Sequence, residues 1–289
     1  IRSTTGAFAA LLEDDTVQTW GYSNNGGVPD GQAALALASG QVEDIFSNDF
    51  TFAALLKDGS VVSWGSPSSG GDTSSVDKEL VDVQKIIGNR NAFTAITGSG
   101  KAVSWGISGA NYIEQADQLR ADVIDIVASD QAFAALKSDG SVVTWGSNQY
   151  GADSSSVSSD LASGVVELTA SEAAFAARKI NGEVITWGIP EAGGDSSSVK
   201  TQLLSGVNKV YANQLSFVAL KDDGTVVTWG DQESGGSSRF VTGGDLVDII
   251  NVADVFTDTF IGSGFNDPDP VDSSPVDSSP VDSSPVDSS

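Results

Sequence analysis

The chain has 289 residues, and its 39 acidic side chains outnumber 14 basic ones, giving a formal charge of −25 at pH 7. Such a field repels phosphate backbones and anionic bilayers, so neither nucleic acid nor membrane insertion is expected. Cys, His and Met are all absent, which removes disulfides, thiolate and imidazole metal sites and the Ser–His–Asp triad. Without Met, Ile1 reads as a processed end. With no charged-then-apolar leader and no apolar run of about 18 residues, the expectation is a mature exported protein, extracellular or at the cell surface.

Along the chain, a Phe and a Trp twelve residues apart recur as Phe8/Trp20, Phe52/Trp64, Phe93/Trp105, Phe133/Trp145, Phe175/Trp187 and Phe217/Trp229. Successive Trp residues lie 44, 41, 40, 42 and 42 apart, so one supersecondary unit is copied along the chain. The first copy lacks the apolar strand that precedes Phe in the others, and Asp14-Asp15 stands at its turn, which should weaken that turn. From the second copy on, Val42, Val83, Val123, Val165 and Val207 stand ten before Phe, and Ile45, Ile86, Ile126, Leu168 and Val210 seven before it.

The copy from Val123 to Gly146 shows the unit most clearly. Val123 to Ala128 is β-branched and apolar and predicts a strand; Ala132 to Lys137 predicts a second. Asp139-Gly140 supplies the positive-φ positions of a tight hairpin, and Ser141 to Trp145 predicts the third strand. Equivalent turns stand at Asp58-Gly59, Ser99-Gly100, Asn181-Gly182 and Asp223-Gly224. In Phe133-Ala134-Ala135-Leu136 both faces are apolar, so the strand needs cover on both sides. Stacked three-stranded blades provide it, with all six Trp residues expected between blades. Small-residue loops join the units, read as surface crossovers with a helical turn capped by Ser.

Phe256 in VFTDTFI marks a seventh middle strand, but the position twelve residues later is Pro268. Two readings follow. In the preferred one, seven blades close with the first and last each a strand short. In the other, six blades close when Val247–Val252 joins the N-terminal hairpin and Phe256–Ile261 is surplus. From Asn266 the composition changes to four copies of Pro-Val-Asp-Ser-Ser, with five of the eight prolines and six acidic residues. This tail, 266–289, cannot bury a core and favours extended polyproline conformations. The domain division is therefore an all-β repeat propeller over 1–265 and a linker, stalk or assembly segment over 266–289.

The hairpin FAALK-x-DG-x-VVTWG, at Phe133–Gly146 and Phe217–Gly230 and nearly so at Phe52–Gly65, resembles the regulator-of-chromosome-condensation repeat. More narrowly it is similar to the short version in propeller-type β-lactamase inhibitory proteins. The resemblance covers about residues 7–262 and implies a ring of seven three-stranded blades. Inhibitor-like loops present aromatic anchors; the loops here offer Tyr22, Tyr112, Tyr150 and Phe240.

Three classes of function follow: a structural or surface protein that assembles with itself, a module binding a surface protein or glycan through its loops, and a carboxylate glycosidase. With 39 acidic residues a carboxylate pair arises by chance, so no enzyme and no resident cofactor is expected. The leading expectation is an extracellular subunit of a filament, layer or matrix, joined through its seam strands and tail. Asp72, Asp153 and Asp195 recur at matching loop positions and are weak calcium candidates, with Ser-capping the favoured role. In the tail, Ser273, Ser274, Ser278, Ser279, Ser283, Ser284, Ser288 and Ser289 are expected O-glycosylation positions.

Overall fold

The computed structural model describes residues 1–107 and 115–237. Six antiparallel three-stranded meanders follow one another. They are β1 (Arg2–Ser3), β2 (Ala7–Leu11), β3 (Val17–Gly21); β4 (Val42–Ser47), β5 (Thr51–Leu56), β6 (Val61–Gly65); and β7 (Val83–Asn89), β8 (Ala92–Thr97), β9 (Ala102–Gly106). Next come β10 (Val123–Ala128), β11 (Ala132–Lys137), β12 (Val142–Gly146); β13 (Val165–Ala170), β14 (Ala174–Lys179), β15 (Val184–Gly188); and β16 (Val207–Ala212), β17 (Ser216–Lys221), β18 (Val226–Gly230). The first strands of neighbouring sheets lie against one another, so they are the inner strands of a β-propeller and each sheet is a blade.

The twelve-residue spacing has a simple cause. The tight hairpin sets a register in which Phe lies directly opposite Trp, as in Phe133↔Trp145 and Phe217↔Trp229. Their rings stack at centroid distances of 5.2–5.4 Å in all six blades. The Phe and Trp side chains of the second to sixth blades are buried, at 0–3 % exposure. Burial of each ring contributes about 2–3 kcal/mol.

Two hydrogen bonds latch each blade to the one before it. Trp64, Trp105, Trp187 and Trp229 donate their indole N–H to the carbonyls of Gly26, Gly70, Gly151 and Gly193, at 2.9–3.0 Å. Each of these glycines stands six residues after the preceding Trp, in a W-G-x4-G loop. Its φ is 89–102°, and a Cβ there would lie 2.5–3.0 Å from the next blade's Phe ring. Only a residue without a side chain accepts both the left-handed backbone and the ring against it. The second latch runs from the N–H of Val42, Val83, Val123, Val165 and Val207 to the hairpin-turn carbonyl of the preceding blade, at 2.9–3.2 Å.

The third loop departs from the pattern. Trp105 is followed by GISGANY, without glycine at the sixth place, and Trp145 donates instead to the Ser104 hydroxyl at 3.2 Å. Elsewhere a side chain four before Phe ties the loop to its own blade: Asn48 to the Ser69 carbonyl, Ser129 to Tyr150, Ser171 to Ala192 and Asn213 to Ser234. The matching Asn89 amide nitrogen is buried without a partner among the described residues.

Several expectations need correction. Trp20 is not buried: it is 48 % exposed, and Phe8 beside it 46 %. The first copy does have an inner strand, the two-residue β1, which pairs with Phe8 and Ala9. Its Asp14-Asp15 turn keeps the hairpin form, because Asp15 takes φ 60° and Asp14 accepts from the Thr16 N–H and hydroxyl. The first crossover holds a seven-residue helix, α1 (Gly31–Leu37), burying Ala33 and Leu37, where only a helical turn was expected. In the other crossovers the Ser residues preceding the short 3-10 turns make no side-chain cap. Val247–Val252 and Phe256–Ile261, on which the blade number turns, lie outside the described residues.

Gly193→Val adds a Cβ 2.5 Å from Phe217 at φ 93°. It is expected to cost about 2–5 kcal/mol, combining left-handed strain and overpacking. Gly31→Ala, at φ 50° with nothing within 4 Å of its Cβ, carries the strain alone and is expected to cost no more than about 2 kcal/mol. Denaturant unfolding of the two variants checks the difference.

Candidate binding surfaces at the axial mouth and the open seam

The turns joining inner to middle strands gather at one end of the ring. Three residues before Phe in each blade stand Thr5, Asp49, Arg90, Asp130, Glu172 and Gln214. Main-chain hydrogen bonds pass between them from blade to blade: Thr5 N–H to Asp49 carbonyl at 2.9 Å, Arg90 to Asp130 at 3.0 Å, Asp130 to Glu172 at 2.9 Å and Glu172 to Gln214 at 2.8 Å. The backbone forms this circlet, so side-chain identity is free to vary around it.

Arg90 stands between two carboxylates, 3.5 Å from Asp49 and 3.2 Å from Asp130. Both acids are largely covered, at 15 % side-chain exposure. Burial holds the Asp49 carboxyl above the usual carboxylate range; Arg90 opposes that rise and the like charge of Asp130 adds to it. Further along the inner strands, Lys85 pairs with Asp125 of the next blade at 2.8 Å and Arg2 with Asp44 at 3.7 Å. These are half-exposed pairs, each worth under about 1 kcal/mol. The mouth offers a polar, mostly acidic rim with no group poised for chemistry.

The calcium candidates do not converge. Asp72, Asp153 and Asp195 sit in three separate crossovers, and each carboxylate accepts from the backbone N–H two residues on, at Ser74, Ser155 and Ser197. Those bonds hold the three carboxyls below the usual range. Among the described residues no three Asp or Glu side chains gather as a metal-holding group. Of the aromatic loop residues, Tyr22 is 76 % exposed, whereas Tyr150 packs against the cores of the fourth to sixth blades. Tyr112, Phe240 and the eight tail serines, Ser273 to Ser289, lie outside the described residues.

The second surface is the seam. Phe8 and Trp20 stack at 5.3 Å on the open face of the first blade, and among the described residues no acceptor meets the Trp20 indole N–H. On the far side of the sixth blade, Gly235 has φ 98° and its W-G-x4-G loop is held by Asn213 and Ser216 to the Ser234 carbonyl. No aromatic ring among the described residues covers it. One end of the chain thus presents the ring half of a latch, the other the glycine half. Sequence reading treated these loops as generic small-residue crossovers; the signal available was the glycine recurring six residues after Trp.

Residues 123–152, the fourth blade with the loop after it, match the family model of the Regulator of chromosome condensation (RCC1) repeat. The fold is an RCC1-like repeat propeller. No curated protein matches the chain. Among solved structures, yeast RCC1 (Prp20) bound to Kap60 is 16 % identical, with 87 % of this chain and 74 % of that chain covered at a TM-score of 0.49. Prp20p from Saccharomyces cerevisiae, in a structure reported with its binding properties to Gsp1p and histones, is 16 % identical over 87 % of this chain and 76 % of its own, at 0.48. The ectodomain of the receptor kinase CR4 from Physcomitrella patens is 16 % identical over 78 % of this chain; the chain spans 61 % of that ectodomain, at 0.47.

Removing the Asp49 charge tests the electrostatics of the mouth. Because the folded-state pKa is raised, the ionised carboxylate weakens the fold above that pKa, and the penalty vanishes as pH falls below the ordinary value near 4. Asp49→Asn is expected to raise Tm at pH 7, with the gain shrinking toward pH 3. An equal gain at both pH values would locate the effect elsewhere.

Proposed function

We propose that this RCC1-like propeller is a non-enzymatic protein-binding module that acts outside the cell as a structural subunit, associating with copies of itself. The half-exposed Phe8/Trp20 stack carries this reading. Five equivalent pairs in the same chain are buried between blades, so the first has the chemistry of an interface and lacks its cover. An apolar face of this kind on a soluble protein marks a contact surface. The charge of −25 suits an exterior that repels non-specific neighbours, which leaves the uncharged seam as the place where two copies approach. The absence of sulfur-containing residues and the Pro-Val-Asp-Ser-Ser tail support an extracellular setting in which the tail spaces successive subunits.

Sedimentation velocity over a wide concentration range tests this. Species that grow in size with concentration are expected, persisting when residues 266–289 are removed, since the tail is a spacer and the seam the contact. A strictly monomeric chain at all concentrations would overturn the proposal.

A further inference from the structure

The seam has two faces, and the sequence contains one segment that fits between them. Leu246 and Ile249 stand ten and seven residues before Phe256, the places filled by Val and by Ile, Leu or Val ahead of every Phe from the second blade on. Residues 246–261 therefore carry the inner and middle strands of a further blade. Its third strand is missing, because Pro268 stands at the Trp position and proline cannot continue a strand ladder. A two-stranded unit of this kind brings Phe256 to the Gly235 loop, as Phe52, Phe93, Phe175 and Phe217 meet Gly26, Gly70, Gly151 and Gly193. Its other face covers Phe8 and Trp20.

Resting on the self-assembly proposed above, we infer that residues 246–261 of one copy occupy the seam of the next, between its Gly235 loop and its Phe8/Trp20 stack. Two observations favour exchange over insertion into the chain's own seam. Within the single chain, Phe8 and Trp20 remain 46 % and 48 % exposed. The connector is also the shortest in the molecule: 27 residues separate Trp229 from Phe256, against 28 to 32 between Trp and the next Phe in the five earlier junctions. Short hinge loops favour exchange of the element they carry between copies. The eight residues 238–245 span at most roughly 27 Å when extended, enough to carry a blade across to an adjoining ring.

The geometry limits what can cross. A whole second propeller cannot enter a gap bounded by two blades of the same ring, but two strands can, since packed sheets lie only about 10 Å apart. The exchange is head-to-tail: each copy donates one segment and offers one seam, so association continues into a chain or closes as a cycle of copies.

The test uses the full chain with two single variants. Phe256→Ala spoils the donated segment and leaves the seam intact; Gly235→Leu blocks the seam and leaves the segment intact. Each alone is expected to weaken self-association about 100-fold or more, while an equimolar mixture forms a one-to-one heterodimer, because one partner can still donate and the other still receive. Circular dichroism and thermal unfolding of each variant confirm that the six blades remain folded. If wild type associates and Phe256→Ala associates equally well, the segment is not the link, although the self-assembly proposal stands. If the two variants fail to pair on mixing, exchange is overturned. If wild type is monomeric with the Trp20 indole N–H protected from solvent exchange, the segment fills its own seam and both proposals fall.

Discussion

Everything in this propeller depends on one contact, repeated at successive junctions: a Trp indole N–H held by the carbonyl of a glycine in the preceding blade's loop, with the paired Phe ring lying against that glycine. The contact joins three requirements that must be met together. The loop must turn through a left-handed residue, the ring must approach to a distance that excludes any Cβ, and the buried indole N–H must find an acceptor, since an unmet donor in a dry core costs about 1–3 kcal/mol. Glycine six residues after Trp meets all three. Where it is missing, after Trp105, the next Trp takes a serine hydroxyl instead.

The remaining latches are consequences of this spacing. Once Phe and Trp of one blade are seated on the loop of the last, the inner strand starts where its Val N–H reaches the preceding hairpin carbonyl. The turns at the other end then fall into line as a main-chain circlet. Each blade is held at its outer loop, at its hairpin end and at the axis. Such a scaffold contacts mainly its nearest neighbours, so its terminal blades are left with unused halves of the same latch. Phe8 and Trp20 at one end, and Gly235 at the other, are those halves. Ordinary folding chemistry therefore produces a surface suited to partner binding without any dedicated site.

Much of this was legible in the residues. The Phe–Trp spacing reports the hairpin register, because a tight turn at Asp-Gly places the two rings opposite each other. The two-sided apolarity of Phe-Ala-Ala-Leu reports cover on both faces. Other features had no local signal. Trp20 looks like every other Trp in its own hairpin; its exposure comes from having no preceding loop, which is a property of position in the chain. The circlet of Thr5, Asp49, Arg90, Asp130, Glu172 and Gln214 is invisible because main-chain atoms make it. The Asp14-Asp15 turn, expected to be weak, holds because aspartate tolerates the left-handed region and its neighbour's carboxylate bonds to Thr16. The loop aspartates recur at matching places because each orders its own turn, which periodicity alone does not separate from a shared ligand.

The central claim is that the indole latch, broken only at the first blade, organises the ring. Hydrogen exchange of the six Trp indole N–H groups, followed by NMR on indole-labelled protein diluted to the monomer, tests it most directly. The account predicts five slowly exchanging indoles, Trp64, Trp105, Trp145, Trp187 and Trp229, and one fast, Trp20. Uniform exchange of all six, whether fast or slow, would contradict it.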